Sequence, residues 1–149
     1  MRTVQVSVIG SGAEHEARAA EVGRLLAERG VTVVCGGQAE VMEAAARGAK
    51  EAGGVTIGIL GGETDEGANE WLDHVVVTGI GHARNLAVAA SGDGVIAVGG
   101  SWGTLAEIGF AMRLGRPTVI LEPGWEIDGV PRVRTPLEAV EAVLADARR

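Results

Sequence analysis

The chain has 149 residues, of which 24 are glycine, four are proline and 46% are hydrophobic. Glycine at about 16%, where roughly 7% is usual, excludes collagen and a disordered tail when apolar content stays this high and proline this low; the length predicts one compact domain over residues 1–149. Thirteen basic against 20 acidic residues, a net charge of −7, argue against nucleic acid or an anionic membrane as partner, since both need a basic face.

Along the chain, β-branched apolar runs alternate with helix-period stretches rich in Ala, Glu, Leu and Arg. A first strand is expected over 4–9, followed by Gly10-Ser11-Gly12 and a helix over 13–29. A second strand, 31–35, leads through Gly36-Gly37 into a helix over 39–52. The third, 55–60, runs into Gly61-Gly62 and a polar, glycine-rich stretch, 61–73, expected to be a surface loop with one helical turn around Trp71. The fourth strand, 74–78, precedes Gly79, Gly81 and a helix over 82–90. The fifth, 94–98, leads through Gly99, Gly100 and Gly103 into a helix over 104–114. A sixth strand, 117–121, follows. Thr135-Pro136-Leu137-Glu138 is a capping box with proline at the first helical position, opening a last helix to about Ala147.

Most of these strands are continuously apolar, as strands buried on both faces are. The alternation predicts an α/β fold, a three-layer Rossmann-like open parallel sheet with helices on both faces. Gly30, Gly53-Gly54 and Gly115 fall where helices end and a left-handed residue is favoured. Eleven other glycines follow five successive strands: Gly10, Gly12, Gly36, Gly37, Gly61, Gly62, Gly79, Gly81, Gly99, Gly100 and Gly103. In a parallel sheet that edge gathers backbone N–H groups and helix N-termini, so a ligand-binding edge is expected there.

Several chemistries fail on residue identity. Gly10-Ser11-Gly12 opens like a dinucleotide fingerprint, but its third glycine position is His15 and the second strand ends without an acid for a ribose. Lys50, the only lysine, is followed by Glu51, which removes a P-loop and leaves no convincing Schiff-base lysine for a pyridoxal phosphate enzyme. Cys35 is the only cysteine, so there is no disulfide framework or cysteine metal cluster, and His15, His74 and His82 lack metal-ligand spacing. Gly99-Gly100-Ser101-Trp102-Gly103 fits a nucleophile elbow, yet no histidine follows His82 to serve it. With no signal-peptide core and no 18-residue apolar run, a cytoplasmic protein is expected.

What remains at the fifth strand is a glycine loop running into a helix. Amides of Gly100 to Thr104, with the Ser101 and Thr104 hydroxyls, can hold a phosphate without lysine. Glu107 has two readings: a ligand-facing carboxylate, or the far end of a Thr104-x-x-Glu107 capping box.

The run GGSWGTLAE from Gly99 to Glu107 resembles the PGGxGTxxE motif of the Rossmann-like family that includes the LONELY GUY cytokinin-activating phosphoribohydrolases, the "possible lysine decarboxylases" and the molybdenum cofactor carrier proteins. The resemblance extends over Ile9-Gly10-Ser11-Gly12, CGGQAEVMEAAARGAKEAGG from Cys35 to Gly54, TIGIL from Thr56 to Leu60 and TGIGHARN from Thr78 to Asn85, and is nearest the carrier proteins. It implies a phosphate grip by Gly99, Gly100, Gly103 and Thr104. In the hydrolases the counterparts of Arg84 and Glu107 serve cleavage of a nucleoside 5′-monophosphate. This chain departs at Asn85, where those enzymes carry lysine, at Val98, where proline is usual, at Ser101-Trp102, which fill a stretch that is usually smaller, at Glu40, where glycine is common, and at Gly61, where proline is common.

Rule and resemblance together predict strand order 3-2-1-4-5-6, which brings Gly10, Ser11 and Gly12 beside Gly79, Arg84 and Asn85, with Gly36 and Gly37 adjoining. The expected ligand is a phosphate-bearing small molecule, either molybdenum cofactor or an AMP-like nucleotide, with Trp102 stacking on its heterocycle or packing at a subunit contact. The leading reading is a carrier-like binding protein; the alternatives are a phosphoribohydrolase using Glu107 and Arg84, and a nucleotide-sensing module. A homo-oligomer, dimer or tetramer, is implied by resemblance, with the apolar stretch 108–112 as one interface candidate.

Overall fold

The computed structural model describes residues 2–147. Seven strands form one sheet: β1 (Gln5–Ser11), β2 (Thr32–Cys35), β3 (Thr56–Leu60), β4 (His74–Val77), β5 (Gly94–Gly99), β6 (Thr118–Leu121) and β7 (Arg132–Val133). Five α-helices connect or follow them: α1 (Glu16–Glu28), α2 (Val41–Glu51), α3 (Arg84–Ser91), α4 (Trp102–Arg113) and α5 (Pro136–Ala147). Single 3-10 turns, Ala13–His15 and Gly81–Ala83, lead into α1 and α3. Every strand pair is parallel. The expected α/β class and the six longer strands are therefore present.

The strand order is β4-β3-β2-β1-β5-β6-β7, which corrects the expected 3-2-1-4-5-6. The fourth strand does not lie beside the first; it extends the sheet beyond β3, with Ile57 opposite His74 and Leu60 opposite Val77. Its placement follows from the 61–73 loop, which contains turns but no helix around Trp71 and is tied down next to β3. Thr56 donates to the Trp71 carbonyl at 2.6 Å, and the Lys50 ammonium reaches Asp73 at 2.8 Å. With no helix over it, β4 keeps Val75, Val76 and Val77 exposed, unlike the doubly covered strand its apolar run suggested. The chain crosses to the other side of β1 only after β4, through α3, so the switch point lies between β1 and β5.

Two cores flank the sheet. Val6, Val8, Val33, Ile96 and Leu121 face α1, α2 and α5 through Val22, Leu26, Val41, Val140 and Val143. On the opposite face Ile9, Val34, Ile59, Ala97 and Ile120 meet Val88 and Ala89 of α3 and Ile108 and Ala111 of α4. The 108–112 stretch is thus divided: Ile108 and Ala111 are core, while Phe110 and Met112 remain exposed.

Helices α1 and α2 cross closely through glycines inside the helices, a use of glycine that the helix-end reading did not cover. A Cβ on Gly23 would lie 2.0 Å from the Ala45 carbonyl oxygen, and one on Gly48 would lie 2.0 Å from that of Ala20. Because the obstacle is backbone on both sides, Gly48→Ala is expected to lower stability by roughly 1–3 kcal/mol, the range for overpacking, despite alanine's better helix propensity. Urea denaturation of the variant checks this; a gain in stability would mean that the helices part freely.

The last helix has half of its expected capping box in the expected form. Thr135 Oγ1 accepts from the Glu138 amide at 3.1 Å, whereas the Glu138 carboxylate accepts from the Arg134 amide, one residue before the expected position.

Candidate functional site

At the carboxyl ends of β1 and β5 the two glycine loops lie side by side, because parallel pairing runs to Gly10 opposite Val98 and Ser11 opposite Gly99. The approach tolerates no side chain: a Cβ on Gly10 would stand 1.8 Å from the Val98 carbonyl oxygen. At Gly100, φ is 107° and a Cβ would sit 2.2 Å from Thr104 Oγ1, so the loop needs glycine for both conformation and space. Trp125 pins it from outside, its indole N–H donating to the Ser101 carbonyl at 3.2 Å.

Helix α4 starts directly from this loop. Its N-cap residue, Ser101, makes no side-chain capping bond, so amides of the first turn are left for another acceptor at the positive end of the helix dipole. Thr104 and Glu107 lie inside α4 and do not form the capping box suggested by their spacing. Thr104 is buried.

The loops and the starts of α3 and α4 enclose a cleft of about 200 Å³. Of the residues predicted from sequence, Gly10 and Ser11 line it from β1, Gly36 from the loop after β2, Arg84 and Asn85 from α3, and Ser101, Gly103, Thr104 and Glu107 from the β5 loop and α4. Met42 and His82 also line it; neither belonged to a motif, and only the packing of α2 and the crossover into α3 brings them there.

Other predicted residues lie elsewhere. Gly79, carried outward with β4, donates its N–H to the Gly62 carbonyl at 2.9 Å and does not line the cleft. Gly37 is buried against Leu60 and Gly58, where a Cβ would approach Leu60 Cδ2 to 2.8 Å, so its glycine serves packing. Gly99 closes over His15, whose ring would meet a Cβ at 2.1 Å. Gly12 stands at the rim, its N–H donated to Glu40 Oε2 at 2.6 Å. Trp102 is 76% exposed and tilts against Trp125, ring centroids 5.6 Å apart, outside the cleft lining.

Arg84 is not a loose surface cation. Its Nη1 donates to the Gly36 carbonyl at 2.6 Å and to the Ile59 carbonyl at 2.8 Å, Nη2 donates to Gln38 Oε1 at 3.1 Å, and Nε donates to Asn85 Oδ1 at 3.0 Å. Four of the five guanidinium N–H groups are therefore engaged, and three of them tie the ends of β2 and β3 to the start of α3. Glu107 faces the same cleft. Burial pushes its carboxyl up to about 7, with the Arg84 charge pulling the other way. It is thus poised to hold or release a proton near neutrality. Cys35, at the end of β2, is an inert thiol: burial raises it to about 11, and the Gly37 N–H on its sulfur offsets only part of that.

This fold has close counterparts. The structure matches the molybdenum cofactor binding protein of Rippkaea orientalis with a TM-score of 0.91 and 30% identity, over 97% of this chain and 98% of that one. It matches the molybdenum cofactor carrier protein of Chlamydomonas reinhardtii at 0.87 and 31%, over 99% and 100%. In sequence it is 39% identical to an uncharacterised protein of Archaeoglobus fulgidus over 99% of both chains. It is 32% identical to the cytokinin riboside 5′-monophosphate phosphoribohydrolase of Mycobacterium tuberculosis over 75% of this chain and 65% of that protein. The family model described as the SLOG cluster4 family (LDcluster4) matches residues 3–146, and the chain belongs to that family.

Proposed function

We propose that this chain acts as one binding domain for a phosphate-bearing, nucleotide-like or pterin-like small molecule, as the carrier proteins it resembles do for molybdenum cofactor. The observation that carries this reading is the uncapped start of α4, which opens from the Gly99–Gly103 loop into the cleft. The phosphate sits on the amides of that turn with Thr104 beside it. A cleft of about 200 Å³ is smaller than the roughly 300–1,000 Å³ usual for a whole organic ligand. The heterocycle therefore extends from the mouth, with the exposed Trp102 next to the loop as a stacking surface.

Binding is favoured over turnover by the condition of Arg84. In the hydrolase reading its fork positions the substrate, but here four of its N–H groups already hold backbone and side-chain acceptors, and Asn85 replaces the second cation. What favours the competing phosphoribohydrolase reading is Glu107, a carboxyl near neutrality inside the cleft. Incubation with AMP separates the two. Saturable binding without release of adenine and ribose 5-phosphate is the expected result; steady release abolished by Glu107→Ala overturns it. Mass spectrometry of the small molecule that copurifies with the protein identifies the ligand directly. We further propose self-association through the part of the 108–112 stretch that stays exposed on α4, Phe110 and Met112, apolar groups that water covers poorly.

A further inference from the structure

Among the described residues, Glu40 is the only non-glycine with positive φ, at 57° with ψ −121°. A glutamate there bears a backbone strain that glycine would avoid. Its backbone carbonyl accepts the Ala44 N–H at 2.8 Å, and its side chain accepts the Gly12 N–H through Oε2 at 2.6 Å, a short, charge-assisted bond between residues 28 apart in sequence. Gly12 heads the turn into α1, the place where an open parallel sheet ordinarily receives a ligand's phosphate. Ser11 and Met42, close in sequence to the two partners, line the cleft, which puts the Gly12–Glu40 pair at its rim. Ser11 pairs with Gly99, so this amide is one strand away from the loop that opens α4.

We infer that Glu40 is a built-in anion that occupies the phosphate position of the first glycine loop and thereby restricts the cleft to ligands with a single phosphate, held at the second loop. The charges around the cleft agree. Arg84 is the only arginine or lysine among the described residues that line it, and four of its N–H groups are committed. A second phosphate extending toward the first loop meets a carboxylate, and no lysine or arginine in the lining remains to neutralise it. The assignment rests on the phosphate reading of the second loop and adds to it a residue that discriminates monophosphate from diphosphate.

Isothermal titration of the wild-type protein, Glu40→Gly and Glu40→Gln with AMP and ADP tests it. The wild type is expected to bind AMP at least 10-fold more tightly than ADP. Glu40→Gly, which suits the positive φ and frees the Gly12 amide, should narrow that ratio to below about threefold by strengthening ADP while AMP is unchanged. Glu40→Gln, which keeps the side chain's size but removes its charge, should narrow it in part. Equal affinity for AMP and ADP in the wild type, or a ratio that neither substitution changes, overturns the role of Glu40 and leaves the phosphate site standing. If the wild type binds neither nucleotide, the same titrations with inorganic phosphate and pyrophosphate decide without a heterocycle. Phosphate bound in preference to pyrophosphate, with the preference lost in Glu40→Gly, supports the assignment. Binding of neither anion overturns the phosphate reading and the role of Glu40 with it.

Discussion

At pH 8, Glu107→Gln is expected to be more stable than the wild-type protein by up to about 3 kcal/mol, and at pH 4.5 the two should unfold at nearly the same denaturant concentration. Burial raises the Glu107 carboxyl from 4.5 to about 7. The folded protein therefore binds a proton there that the unfolded chain has released, and stability falls as pH rises through the interval between those two values. At about 1.36 kcal/mol per pH unit the interval amounts to roughly 3 kcal/mol. Glutamine has nearly the same shape and no charge to lose, so it escapes this penalty above pH 7 and brings no advantage below the lower value. Urea titrations of both proteins across pH 4.5–8.5 provide the measurement. A difference that does not vary with pH would show that the carboxyl is solvated and sits outside the cleft. The same experiment bears on function, since a carboxyl held at a cost to stability in a ligand-sized cleft belongs to the class of groups that sites retain for their chemistry.

Arg84→Met is expected to cost about 2–4 kcal/mol at pH 7 and to weaken AMP binding as well. Hydrogen bonds involving a charged group contribute about 1.5–3 kcal/mol each and are not additive, and here two of the four acceptors are the Gly36 and Ile59 carbonyls at the ends of neighbouring strands. Methionine replaces the volume of the stem but not the donors, leaving those carbonyls unpaired and the loop after β2 untethered. A second consequence separates this from loss of packing: without the neighbouring positive charge, the Glu107 carboxyl should move further up, which an NMR titration of its side chain reads. A stability loss below about 0.5 kcal/mol would mean that Arg84 is an ordinary surface cation. Gly36, Arg84 and Glu107 thus form a connected set in which the arginine's first duty is architectural.

The alternation of apolar runs with helix-period stretches made the α/β class and the positions of the longer strands legible, because buried parallel strands and amphipathic helices leave different periods in a sequence. The two-residue β7 was not legible, since Arg132–Val133 carries no pattern of its own and pairs only because β6 offers a free edge. The second glycine loop was readable from Gly99 to Glu107, where strand, glycines and helix follow one another locally. Glu40 drew notice as a departure from its relatives, but its bond to Gly12 did not, since nothing local links residues 28 apart. The capping-box reading of Thr104 and Glu107 failed because α4 begins two residues earlier, at Trp102, and a fixed spacing means a cap only where the helix starts.

The glycine excess marks the division most clearly. Sequence alone determined that 11 glycines follow strands and that a parallel sheet would gather them along one edge, because strand direction and loop position are local properties. Only the tertiary structure decided which of them share a cleft. That depends on strand order, a matter of which edges pair and where the chain crosses the sheet. Placing β4 beyond β3 and β5 beside β1 carried Gly79 away, joined Gly10 to the Gly99–Gly103 loop, and brought Arg84 across the ends of β2 and β3 to face Glu107.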